Sequence, residues 1–294
     1  MVLALPTGCD KGGGATNDPG AGDGGKTDKP GESNEGQFTY ADNFALAGEI
    51  AVEFSNDSPE GKGSAKIVAK TQIDAAPASG KTKLHGKVVE LVEYTGSGSL
   101  DAEFMKQQMA KAAQPGAAEF DLIASLKSSE EWMIVDSRGE LDDEATKALT
   151  ENAKEEAMGA SDFGLFNLPD LPTVKLELGK ETKLPTEEKD ENMFGQVIPM
   201  EIDRTWKLIS LGDEGGRKVA KLEVTSESSG AAEMQGQGML AIGQESHFMI
   251  AFDVDAKIPI SLEGESMFEL SFEGGGQSVN FQNESKIVAK YSPL

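Results

Sequence analysis

Cys9, the single cysteine of this 294-residue chain, closes the short apolar run Met1-Val-Leu-Ala-Leu-Pro-Thr-Gly and opens a glycine-rich segment. Its sulfur is a candidate for covalent modification. With one cysteine, neither an intramolecular disulfide nor a cysteine-rich zinc site can form. Other side chains able to do chemistry are sparse. His85 and His247 have no evident partner nearby in the sequence and read as surface histidines. No His-Glu-x-x-His helix, Gly-x-Ser-x-Gly elbow or phosphate-binding glycine loop is present, so no catalytic residue and no cofactor are assigned. The densest acidic clusters are Asp142-Asp-Glu144, Glu187-Glu-Lys-Asp-Glu191 and Asp253-Val-Asp255. None has the calcium-loop spacing with a central glycine, and no metal ligand is assigned. Asp253 and Asp255 are expected on one polar strand face. With 51 Asp and Glu, a glycosidase-type carboxylate pair has no recognisable signature.

One softer constellation is apolar. Phe104, Met105 and Met109 fall on one face of a helix, and Trp132 and Trp206 fall on strands. Together they can line a cavity for an apolar ligand, since methionine adapts to irregular shapes. The competing reading is plain core.

These residues must be positioned by a body that reads as mainly β with a few helices. Ile50-Ala-Val-Glu-Phe54, Ile250-Ala-Phe-Asp-Val254, Ile258-Pro-Ile-Ser-Leu262 and Phe268-Glu-Leu-Ser-Phe272 alternate apolar and polar residues, the signature of half-buried antiparallel strands. From about Met239 to Tyr291 five short strands form a meander. They are separated by Asp-Ala-Lys, Glu-Gly-Glu-Ser, Glu-Gly-Gly-Gly-Gln and Gln-Asn-Glu-Ser. Pro259 belongs at an edge or a bulge. One helix starts at Ser99 as its cap and stops at Pro115-Gly116, and another runs from about Asp142 to Met158. Glu131–Val135 reads as a strand entering the Ser137-Arg-Gly139 turn. Lys-Ile-Val-Ala-Lys occurs at 66–70 and again at 286–290, read as two strands of similar composition. The sheets are antiparallel meanders, forming a curved half-barrel or two related halves, 37–166 and 167–294, joined at Asn167–Pro172.

Charge limits the partners. With 27 Lys and Arg against 51 Asp and Glu, the formal net charge is -24. Such a field disfavours nucleic acid and anionic headgroups as direct partners of the body.

Leu-Pro-Thr-Gly-Cys9 resembles the bacterial lipobox, in which small residues precede a cysteine that is acylated at sulfur. Leu usually stands three places before that cysteine, where this chain has Pro6, and no basic residue precedes Cys9. Residues 1–9 therefore read as a truncated signal peptide. Residues 10–36 hold nine Gly and no large apolar side chain. They cannot offset their chain entropy by burial and are expected to form a disordered tether with a reach of about 30 Å. With this N-terminus and the β-helix-β order, the chain resembles bacterial envelope lipoproteins of unknown function. Its architecture is also similar, distantly, to the lipoprotein-carrier type of curved sheet. The resemblance implies a membrane anchor through palmitate-type chains on Cys9, a cell-envelope location, and an apolar ligand groove without catalysis. A structural lipoprotein that engages an envelope protein and a secreted hydrolase are the alternatives.

Overall fold

The computed structural model describes residues 35–59, 61–112, 120–150, 163–166, 168–193, 196–234 and 238–294. Cys9 and nearly all of the segment expected to be a tether lie outside these residues. Glu35–Gly36, placed in the tether by the sequence reading, instead form a short strand, β1, paired with Leu176–Glu177.

Among the described residues, thirteen strands and three helices are defined. After β1 come β2 (Phe44–Ser58), β3 (Gly61–Ala78), β4 (Lys81–Gly98), α1 (Ala102–Ala112), α2 (Leu122–Ser128), β5 (Glu130–Val135) and α3 (Asp143–Thr150). Then follow β6 (Leu176–Glu177), β7 (Glu181–Lys183), β8 (Glu187–Met193), β9 (Gln196–Glu214), β10 (Arg217–Met234), β11 (Gly238–Asp253), β12 (Ile258–Gly274) and β13 (Gln277–Pro293). Eleven strands make one antiparallel sheet in the order β5-β4-β3-β2-β13-β12-β11-β10-β9-β7, with β8 also on β9, and the sheet does not close into a barrel. Each sequence half thus supplies a contiguous block, and the blocks meet where β13 pairs with β2. In the segment expected to join them, Pro169, Leu171 and Pro172 are buried.

The strands are unusually long. β12 has 17 residues, roughly 55 Å of extended chain. Five expected strands are therefore three. Ile258–Leu262 and Phe268–Phe272 are parts of β12, and Glu263–Ser266, read as a turn, lies mid-strand. Gln282–Ser285 likewise lies inside β13. Polar, turn-like composition misled there because the strands are long enough to cross a polar zone of the sheet. The true turns are shorter. Ser79-Gly80, Gly215-Gly216 and Gly275-Gly276 each join paired strands with both residues at positive φ. That geometry matches the right-handed strand twist. Pro259 sits, as expected, beside a register shift between β11 and β12.

The two Lys-Ile-Val-Ala-Lys segments flank β2 in the same register. Ile67 and Ile287 both oppose Val52, and Lys66 and Lys286 both oppose Glu53. Lys70 and Lys290 both oppose Glu49. Two Lys-Glu-Lys rows thus cross the junction of the two blocks in register, while the Lys66 and Lys70 ammonium groups pair with Glu93 and Glu90 on β4 at 3.3 and 2.7 Å. The double variant Glu49→Lys/Glu53→Lys is expected to lower the Tm by about 2–6 °C in dilute buffer, with most of the loss recovered at high salt. Thermal melts across ionic strength check this.

One face of the sheet carries the main core, from Leu46, Ile50 and Val52 through Ile67 and Ile73 to Leu208, Leu222, Ile250 and Phe252. Loops and helices cover it. Tyr40 donates its hydroxyl to Pro169 O at 2.7 Å, and Phe163 meets Phe54 edge-on at 5.4 Å. At Gly86 a Cβ would stand 2.7 Å from the Phe166 ring, so glycine lets that ring lie on the β4 backbone. Asp101, not Ser99, caps α1: its Oδ1 accepts from Phe104 N at 3.0 Å, while Ser99 Oγ donates to Asn56. The short helix α2, capped by Asp121, was not anticipated. Asp142 caps α3, whose expected continuation to Met158 and the expected α1 stop at Pro115-Gly116 lie outside the described residues.

Candidate ligand-binding face

Period-two alternation makes the covered face continuous along each long strand. On β10 the residues facing the core side run Leu222, Val224, Ser226, Ser228, Gly230 and Ala232. On β11 they run Phe252, Ile250, Phe248, Ser246, Gln244, Ile242 and Leu240. Register then fixes the rows. Arg204, Ser226, Ser246, Ser266 and Ser285 stand opposite one another across β9 to β13. The next row holds Ile202, Ser228, Gln244, Phe268, Asn283 and, on β2, Asn56. Between Arg204 and Ile202 at the β9 margin and Asn56 on β2, the result is a band of neutral hydrogen-bonding side chains two residues deep, interrupted by Phe268.

Apolar rows flank this band. On one side is the main core. On the other, Met193, Ile198, Met200, Leu240 and Ile242 form a second buried cluster, with Phe268, Leu270 and Phe272 partly buried against it. Within the band, Ser266 and Ser285 share a hydrogen bond of 2.8 Å. In the row beside it, the buried Trp206 indole Nε1 has no hydrogen-bond partner among the described residues.

At the β9 margin the band ends in charge. Arg204 reaches Glu187 at 3.5 Å. The turn after β5 brings Arg138, which donates to Asp136 and Glu140 at 2.9 Å each. Asp136 Oδ1 also accepts from the backbone N–H of Arg138 and Glu140, which fixes the turn. Burial raises the Glu140 carboxyl above its usual range. Burial pushes Asp170 up to about 7, with Glu140 and Asp136 adding to the rise and Arg204 and Arg138 opposing it.

The five residues proposed to line a cavity are not brought together. Trp132 lies on the edge strand β5, its ring stacked on His85 at 3.9 Å with Lys83 Nζ 4.0 Å from its centroid. Trp206 is buried on β9, near the opposite edge of the sheet and on its other face. Met105 packs against the main core, and Phe104 and Met109 are half-buried. His85 faces Glu130 at 3.4 Å, and His247 pairs with Glu223 at 2.9 Å. Asp253 and Asp255 do not share an exposed strand face. Asp253 is buried at the end of β11, where its Oδ1 accepts from Ala256 N and caps the turn. Asp142 pairs with Lys81, and Glu187–Glu191 run along strand β8. Among the described residues no cluster of His, Cys, Asp or Glu could hold a metal ion, and no helix is long and apolar enough to cross a membrane.

The serine rows escaped the sequence reading, although a signal was present. Ser226-Glu-Ser228, Gln244-Glu-Ser246, Gly264-Glu-Ser266 and Asn283-Glu-Ser285 repeat one pattern, once per strand. Only the register shows that their serines align. No protein-family model matches the chain, and no curated protein matches it.

Proposed function

We propose that this chain is a lipid-anchored, non-catalytic, β-rich module of the bacterial cell envelope that receives an apolar ligand on the far half of its covered face. One observation carries the ligand part. Phe268, Leu270 and Phe272 are only partly buried beside the second apolar cluster, although they share the face of a well-packed core. Apolar and aromatic side chains beside a few polar groups are the kind of lining that a small-molecule site uses. The sequence Leu-Pro-Thr-Gly-Cys9 and the glycine-rich segment after it support the anchor, and two or three acyl chains would hold the protein stably at a bilayer.

Two measurements test the two parts. In a full-length chain made with its export signal, Cys9→Ser is expected to move the protein from the detergent phase to the aqueous phase on Triton X-114 partition. Unchanged partition would remove the anchor. The neutral apolar dye N-phenyl-1-naphthylamine is expected to gain fluorescence with the wild-type body. Leu270→Asp/Phe272→Asp is expected to lose at least about tenfold in dye affinity, since a charge would replace apolar contacts at the rim. No uptake by the wild type would remove the ligand.

A further inference from the structure

We propose that the serine band reads the polar part of that ligand, and that the ligand is an uncharged, hydroxyl-bearing amphiphile: an acyl chain joined to a glycerol-like head. The inference rests on the apolar-ligand reading above and adds the identity of the head.

Three observations lead to it. First, the band is neutral. Ser226, Ser246, Ser266, Ser285, Ser228, Gln244 and Asn283 supply hydroxyls and amides, each able to donate and accept. Across β10 to β13, with strands about 4.8 Å apart, they extend roughly 15 Å, enough to meet several hydroxyls of one head group. Most are half-buried, and Ser228 is buried, on a face whose rows above and below are apolar. Ser266 and Ser285 bond each other, and the half-buried hydroxyls and amides of the band keep an open side on which a ligand could replace water as hydrogen-bond partner. Second, the Trp206 N–H beside the band is a buried donor without an acceptor among the described residues. An ester or hydroxyl oxygen arriving at the band would satisfy it. Third, the surroundings select against an anion. Arg204 is already met by Glu187, and Asp136, Glu140 and Asp170 stand close to the same guanidinium pair. Glu227, Glu245 and Glu284 alternate with the band residues on the opposite face of the same strands.

The order along the strands orients the ligand. The head meets the band, and the chain runs over Phe268, Leu270 and Phe272 toward the hairpin end of β12. Phe268 stands in the second row of the band, at the boundary between the two chemistries.

The test is displacement of N-phenyl-1-naphthylamine by three ligands with one chain length: monolauroylglycerol, methyl laurate and laurate. For the wild type, monolauroylglycerol is expected to compete at about tenfold lower concentration than methyl laurate, which has no hydroxyl, and lower still than anionic laurate. A tenfold gain is what one or two net hydrogen bonds supply. In Ser226→Ala/Ser246→Ala/Ser266→Ala the preference for monolauroylglycerol over methyl laurate is expected to fall within twofold. Competition by all three ligands within twofold on the wild type overturns the proposal while leaving the apolar site standing. So does a preference that survives in the triple variant. Absence of dye uptake by the wild type defeats the underlying reading instead. The wild-type ranking is decisive even where the triple variant fails to fold.

Discussion

Phe252→Ala is expected to lower the unfolding free energy by about 3–5 kcal/mol and the Tm by about 6–15 °C. Phe252 is 1% exposed near the end of β11. Its ring meets Phe38 edge-on at 6.1 Å and Tyr40 edge-on at 5.6 Å. These two rings belong to the segment that leads into β2, so Phe252 ties the entry of the chain to the C-terminal block. Tyr40 in turn holds the loop at Pro169 through its hydroxyl, and Tyr40 N donates to Ser137 O at 2.7 Å. Loss of one ring thus removes the transfer free energy of a buried phenyl group, leaves a cavity, and loosens three segments that share it. Phe252→Leu should cost much less, since it refills most of the volume. Phe281→Ala, on the same face but half-buried, is the control and should cost less than Phe252→Ala. Chemical denaturation of the three variants checks the ranking. Equal losses for Phe252→Ala and Phe281→Ala would show that the core is not concentrated where burial places it.

Asp170→Asn is expected to make the protein more stable than the wild type above about pH 8, by about 2–6 °C in Tm, and to make no difference below about pH 4. The sign follows from burial. Asp170 titrates at about 7 in the folded chain against an ordinary value of 3.8. Between those values the folded state binds more proton than the unfolded state, so stability falls as pH rises. The stabilising contribution of the protonated carboxyl is complete below the ordinary value and is lost as pH passes through about 7. Asparagine keeps the neutral form at every pH. The groups that bear on Asp170 are Arg204 on β9 and Asp136, Arg138 and Glu140 of the turn after β5. The two guanidiniums oppose the rise, which limits its size. Melts of both proteins from pH 4 to pH 9 check the prediction. An asparagine variant that is less stable at pH 8 would mean that the arginines hold Asp170 ionised.

How much of this was readable beforehand differs by element. Ile50–Phe54 and Phe268–Phe272 announced their strands because alternation is a local property: each residue's burial follows from which side of the pleat it occupies. Glu131–Val135 and the turn after it were legible for the same reason. The helix after Ser99 was visible too, but its cap was misplaced by two residues, since Ser99 and Asp101 are both good caps and only the Asn56 contact decides between them. The strand ends were illegible where polar composition mimics a turn. Glu-Gly-Glu-Ser in β12 and Gln-Asn-Glu-Ser in β13 stay extended because both neighbouring strands continue beside them and supply backbone partners. Trp132 and Trp206 were grouped by residue type, but the sheet order sets Trp132 on one edge strand and Trp206 near the other edge.

The sequence by itself determined the β class, the position of the one modifiable thiol, the acidic balance and the period of each strand, because these depend on composition and on neighbours within a few residues. Tertiary structure alone decided that two identical pentapeptides would flank β2 and that four separate serines would stand in one row. Those are relations between strands, set by register, and register is fixed only when every strand buries the same face at once.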